Sequence, residues 1–453
     1  MSRVSTPSQA ASTIAYRPTG IRSAECSLAI TADGDLVIAP ALGRDGVGIA
    51  RSRDRGETWE VRVPDAGPRH RRIQPFTYLD PQTQRLFFKT ARFDVMPPTP
   101  RATGYDLSLS DDLGDTWRHV VIAERMRDWT KLTSGPAPVG DPDRRPITYA
   151  TGPVPFSTRI WPLVPQRHQG VERSRDGGLT WEPAPRGVRL SIDPAAIHGM
   201  SRWDHVNFGN GVVTPDGTLR LAGRYGRALG LATSHDGGVH WSVTRIPGSR
   251  LRAYRNPLHY VLRYSNYLLA ESVADDAAGT ILCVWPDEQD ALQASWSVDG
   301  GVSWTPPRVV SAPGVTEIRY TSVTARPGRP GTFAIAYYGR EASSRAYRAY
   351  LAQCVDLTAP GAVFVGGPVD PVDRPAFPRG FDPGYLRILL GGDLNEILQA
   401  RYAPDGTLYV VYARQVAGRP PLRWHPGSRR ARLPWITGAM EAVIGRVDPV
   451  AGA

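Results

Sequence analysis

Five copies of one short pattern constrain this chain more than anything else in it. Ser52 to Trp59, Ser110 to Trp117 and Ser174 to Trp181 all read Ser-x-Asp-x-Gly-x-Thr-Trp. Ser234 to Trp241 carries His240 in the threonine slot, and Ser297 to Trp304 carries Ser303 there. The leading serines lie 58, 64, 60 and 63 residues apart. A fixed period of this size marks an array of similar supersecondary units, each too small to bury its own apolar face.

The pattern reads as turn chemistry with a packing plug. Most copies follow a short strand-like run, as at Tyr105 to Leu109 and Leu229 to Thr233. A short polar side chain such as Asp accepts hydrogen bonds from N–H groups of its own turn. The glycines Gly56, Gly114, Gly178, Gly238 and Gly301 suit a backbone conformation that a Cβ penalises. The closing Trp fills space between neighbouring sheets. These aspartates are therefore expected to be structural. A second landmark has the same period: seven apolar-turn-apolar hairpins, with turns from Asp33-Gly34 to Asp405-Gly406, at a mean spacing of 62 residues. The two series together predict an all-β chain, a single β-propeller of four-stranded antiparallel blades. Seven blades in a closed ring are favoured, and Thr13 to Tyr16 is placed to complete the last blade.

Five such copies resemble the Asp-box (BNR) repeats of the sialidase-like β-propellers. The resemblance covers most of the chain and is specific for fold. It implies boxes on outer hairpins, away from the ligand site, and offers six blades as the alternative count. It also implies a glycoside-cleaving site with three arginines clamping a carboxylate. A Tyr–Glu nucleophile pair and an Asp acid would complete that site. The chain departs from the family at its Phe/Tyr-Arg-Ile-Pro motif: the matching segment is Ala24 to Leu28, with Ala24 in the arginine slot.

In a propeller the innermost strands line a central channel, and ligands sit at one mouth of it. Residues at the start of each inner strand are the candidates, and here they are polar. Asp204, His205, Glu271, Arg319 and Tyr320 are expected to carry catalysis. Arg22, Glu25, Gln74, Trp203, Asn207, Tyr267, Glu317, Asp393 and Asn395 are expected to hold substrate. His198, His205 and His259 match no metal-ligand spacing, so no metal and no cofactor are expected. Three functions stay open on the sequence: a propeller enzyme acting on a glycoside or other small polar or anionic substrate; a non-catalytic glycan- or protein-binding propeller; and an intracellular biosynthetic enzyme with unrelated chemistry.

Composition bounds the partners. The formal net charge is +11, and Lys89 and Lys131 are the only lysines. The arginines are spread through the repeats with no basic helix or aromatic platform, which argues against nucleic acid. No apolar run reaches the roughly 18 residues a membrane span needs. Cys26, Cys283 and Cys354 cannot all pair and read as buried thiols. With no leader evident, a cytoplasmic monomer is expected, or a secreted one if a leader has been removed. The propeller is expected over residues 1–418, followed by a Pro/Arg-rich segment over 419–453 with the option of packing on the propeller or closing it. Pro360 to Gly384 reads as a long connection.

Overall fold

A computed structural model describes residues 14–23, 26–43, 46–63, 71–94, 101–122, 131–154, 168–183, 206–251, 272–378, 397–416 and 440–449. Among them lie seven four-stranded antiparallel sheets, the blades of a propeller. Blade 1 runs outward from the hub through Leu28–Ile30, Leu36–Ile38, Ile49–Ser52 and Glu60–Arg62. The innermost strands of blades 2 to 6 are Arg71–Leu79, Lys131–Gly135, Val206–Val213, Ser272–Asp275 and Val315–Ala325. Blade 7 is made of Gln399–Tyr402, Leu408–Gln415, Met440–Val447 and, outermost, Ile14–Arg22. The N-terminal strand thus closes the ring, with Ile14 opposite Val447 and Pro18 opposite Val443. Closure of this kind removes the long free edges that an open array would expose.

Two boundaries differ from the sequence reading. Met440–Val447 is a buried third strand of blade 7, so the ring draws on residues beyond 418. Its sequence shows no repeated turn after it, which hid it. Val365–Pro368 is the fourth strand of blade 6, within what reads as a connection. It is glycine-rich because a Cβ on Gly366 would stand 1.9 Å from the Leu351 carbonyl oxygen.

Each repeated turn joins the third and fourth strands of a blade; the Ser–Asp–Thr-slot bonds recur in all five copies and the Trp Nε1 bond in four. In the third copy the Ser174 hydroxyl donates to Asp176 Oδ1 (2.7 Å) and accepts from Gly178 N (2.8 Å). The Asp176 carboxylate also accepts from Thr180 N (2.9 Å) and the Thr180 hydroxyl (2.5 Å). Trp181 Nε1 donates to the Gly178 carbonyl (2.9 Å). In the fourth copy His240 Nδ1 replaces the threonine hydroxyl, 2.6 Å from Asp236 Oδ2. Both carboxylate oxygens are consumed by the turn, and the threonine hydrogen bonds hold Asp54 and Asp112 down at about 2. These aspartates are scaffolding, as their spacing predicts.

The tryptophans seal neighbouring blades. Trp117 of blade 2 packs against the cluster formed by Val37 and Ile49 of blade 1 with Leu86 and Phe88, and Trp181 of blade 3 packs against the cluster that holds Phe87 and Leu109 of blade 2. Glycine lets the turn come this close. Gly178 sits at φ +90°, and a Cβ there would meet Phe87 Cε1 at 2.5 Å.

The hub is polar. Adjacent inner strands are tied by side chains: Ser27 to Thr77 (3.1 Å), Tyr78 to Ser134 (2.7 Å), and Ser272 to Thr321 (2.9 Å). Ala400 N donates to the Ser322 hydroxyl (3.1 Å), and Leu28 N donates to Gln399 Oε1 (2.7 Å). These bonds satisfy groups that would otherwise be buried without partners.

Candidate functional site

Strand direction separates the two mouths of the channel. First and third strands of a blade run parallel, so the repeated turns, which follow third strands, share a face with the ends of the inner strands. Residues that begin first and third strands lie at the opposite mouth. The end of each second strand lies there too.

Blade 6 builds a charged cluster at that opposite mouth. Its inner strand is bulged, with register shifts between Thr316, Arg319 and Thr321. Glu317 (φ 52°) and Tyr320 (φ 39°) both adopt left-handed backbone. The other four non-glycine residues with positive φ among the described residues, Arg55, Gln84, Leu113 and Asp290, sit in turns. Two such residues within four positions of one strand store roughly 1–3 kcal/mol each, a concentration of strain usual at functional sites.

The bulge brings Glu317 against three partners. Tyr347, just before the third strand, donates its hydroxyl to Glu317 Oε2. Arg340, near the end of the second strand, donates Nη2 to Glu317 Oε1 and Nη1 to the Ser344 carbonyl (2.7 Å). Arg319 Nη2 lies 3.6 Å from Glu317 Oε2 and 3.5 Å from the Tyr347 hydroxyl. Burial pushes the Glu317 carboxyl up, but the bonds from Arg340 and Tyr347 and the Arg319 charge outweigh it and hold the group at about 2. Burial pushes Tyr347 up to about 12, against the Arg319 charge and with the Glu317 hydrogen bond. Glu317 and Arg340 side chains are 29% and 26% exposed, whereas Arg319 and Tyr347 lie beneath them. Two guanidinium groups face one carboxylate, so the mouth here favours an incoming anion.

The sequence candidates distribute as follows. Glu317 and Arg319 meet in this cluster. Tyr320, their neighbour in sequence, is 1% exposed and lines the channel cavity beside Thr321 and Ser322. Arg22 corrects the expectation of an inner-strand position. It ends the outermost strand of blade 7, opposite Glu441, and is exposed. Gln74 and Asn207 fall on the inner strands of blades 2 and 4, their side chains outside the described residues. Glu25, Trp203, Asp204, His205, Tyr267, Glu271, Asp393 and Asn395 lie outside the described residues, as do His198 and His259.

Arg340 and Tyr347 are the residues that sequence reasoning missed. Third strands begin at the same mouth as first strands, so the residues flanking each second-to-third hairpin belong with the inner-strand candidates. Among the described residues no three His, Cys, Asp or Glu side chains gather to hold a metal. Among the same residues no helix is long and apolar enough to cross a membrane.

No known protein-family model matches the chain. A xyloglucanase of Paenibacillus sp is 29% identical over 287 residues, covering 57% of this chain and 23% of that protein. The xyloglucanase Xgh74A of Acetivibrio thermocellus is 26% identical over 274 residues, 56% of this chain and 28% of that one. The chain spans about a quarter of the length of these relatives. Among solved structures, a Trypanosoma rangeli sialidase in complex with the inhibitor DANA aligns at a TM-score of 0.45 and 13% identity. That alignment covers 96% of this chain and 59% of the sialidase chain.

Proposed function

We propose that this propeller acts on a carbohydrate at the mouth opposite the repeated turns, cleaving a glycosidic bond with Glu317, Tyr347, Arg319 and Arg340. The observation that carries the reading is the Tyr347–Glu317 hydrogen bond flanked by two arginines. The two xyloglucanase relatives support a glycoside as the class of substrate.

The pairing suits a phenol nucleophile whose proton passes to a carboxylate. As the cluster stands, that transfer is steeply uphill, because Glu317 is held at about 2 and Tyr347 at about 12. Arg340 is the lever. A carboxylate or other anionic group on the sugar competes for its guanidinium, and Glu317 then loses the contact that most lowers its pKa. The freed carboxylate takes the Tyr347 proton, the phenolate oxygen bonds to the anomeric carbon, and the glycosidic C–O bond breaks. The leaving oxygen needs a proton, for which the sequence offers Asp204, His205 and Glu271. Water then displaces the tyrosine and returns the site to its starting state.

A second reading, a glycan-binding propeller without turnover, is favoured by the burial of Tyr347, which is 3% exposed. One experiment separates them. Xyloglucan oligosaccharides, sialyllactose and uronic-acid glycosides are incubated with the protein and products followed by mass spectrometry. Cleavage of an anionic glycoside, lost by at least ~100-fold in Glu317→Gln and Tyr347→Phe, supports the enzyme. Saturable binding with no product supports the second reading, and cleavage undiminished in both variants overturns the proposed roles.

A further inference from the structure

The hub carries a guanidinium that no carboxylate among the described residues neutralises. The inner strands surround a cavity of about 110 Å³ whose described lining includes Lys131, Thr133, Tyr320, Ser322, Gln399 and Arg401, and no carboxylate. Arg401 lies on the inner strand of blade 7. Burial pulls its pKa down, opposed by the Tyr78 hydroxyl. Among the described residues no Asp or Glu pairs with it.

Lys131 opens the inner strand of blade 3, with Nζ 4.7 Å from the Phe76 ring centroid. Lys89 is buried close by, its Nζ 4.6 Å from the Tyr105 ring and 5.9 Å from Phe76. The chain's only two lysines therefore flank one aromatic ring at the hub. Hydroxyl donors complete the lining. Thr133 is 9% exposed, and its hydroxyl makes no hydrogen bond among the described residues. The Ser322 hydroxyl accepts from Ala400 N and keeps its own proton to give.

Arg401 is half-buried at the hub, and a guanidinium with no carboxylate partner among the described residues draws a counter-charge. We propose that the central cavity is a binding site for a small oxyanion of the sulfate or phosphate type, held between Arg401 and Lys131 with Thr133 and Ser322 donating to its oxygens. Arg supplies a planar fork for such an anion and Lys a point charge. The volume agrees: a cavity of about 110 Å³ has room for an anion of four or five heavy atoms with water beside it. The ligands come from blades 3, 6 and 7, so the anion braces the ring across its hub. This site stands on its own residues and does not depend on the chemistry proposed for Glu317.

The test uses the full chain. Melting temperature is followed as sodium chloride is replaced by sodium sulfate at constant ionic strength, and crystals soaked in selenate are measured at the selenium edge. The expected results are a saturable rise in melting temperature and an anomalous peak between Arg401 and Lys131. Arg401→Gln abolishes both; if that variant does not fold, Lys131→Gln and Thr133→Val each weaken sulfate binding by at least ~10-fold. No rise, a rise unchanged in these variants, or selenate bound only on the outer surface overturns the proposal.

Discussion

Replacing Gly178 by alanine tests how the repeated turns hold the ring together. Two costs arise there. The residue sits at φ +90°, and moving an L side chain into left-handed backbone costs about 1–2 kcal/mol. The new methyl also lands 2.5 Å from Phe87 Cε1 and 3.3 Å from Leu109 Cδ2. Phe87 is fully buried, so its ring must be displaced within packed core, at roughly 1–3 kcal/mol. Gly178→Ala should therefore cost about 2–5 kcal/mol. Gly300 in the fifth turn is the control. Its φ is +73° and a methyl placed there meets nothing within 4 Å, so Gly300→Ala incurs only the backbone cost of about 1–2 kcal/mol. Urea denaturation compares the two, with midpoints read at equal slope. Equal losses, or no loss in Gly178→Ala, would refute the claim that the turn seals one blade against the next.

Asp275 gives a pH dependence of definite sign. Burial raises its carboxyl to about 6, with Arg220 Nη1 3.8 Å away. The folded chain thus holds this proton more tightly than the unfolded chain, where Asp titrates near ~4. Its contribution is fully present below about pH 4 and lost as pH rises through about 6. The unfolding free energy of Asp275→Asn in urea should gain on that of the native protein between pH 4 and 7, by at most ~3 kcal/mol; a trend in the opposite direction refutes the assignment. Cys26, Cys283 and Cys354 are buried cysteines, and burial raises the pKa of Cys283 and Cys354. A thiol reagent should modify none of them before denaturant is added, and a fast native reaction contradicts their placement. Removing residues 1–22 strips the outer strand from blade 7 and should abolish cooperative unfolding by circular dichroism. A truncated chain as stable as the full one would show that the latch is dispensable.

The fold was legible where the chemistry is local. A carboxylate, a glycine and a tryptophan at fixed offsets encode the turn by themselves, and the period followed. Val365–Pro368 was hidden because close approach to Leu351 selects glycine there and erases the apolar alternation of a strand. Met440–Val447 was hidden behind a Pro/Arg-rich stretch with no turn motif to mark it. At the mouth, Glu317 and Arg319 were visible as polar residues early in an inner strand. Arg340 and Tyr347 were not, since they reach Glu317 from 23 and 30 residues away, a contact no spacing rule encodes. Tyr320 lies on its inner strand and lines the channel cavity, while the hydroxyl that bonds Glu317 comes from Tyr347, beyond the next hairpin.

The central claim, that sugar is handled at the mouth opposite the repeated turns, is tested most directly by a crystal structure with a bound glycan. The account predicts density against Glu317 and Arg340, with an acidic group of the sugar on the Arg340 guanidinium. Sugar bound instead among the Asp54, Asp112 or Asp176 turns, or on the outer rim of the blades, would contradict it.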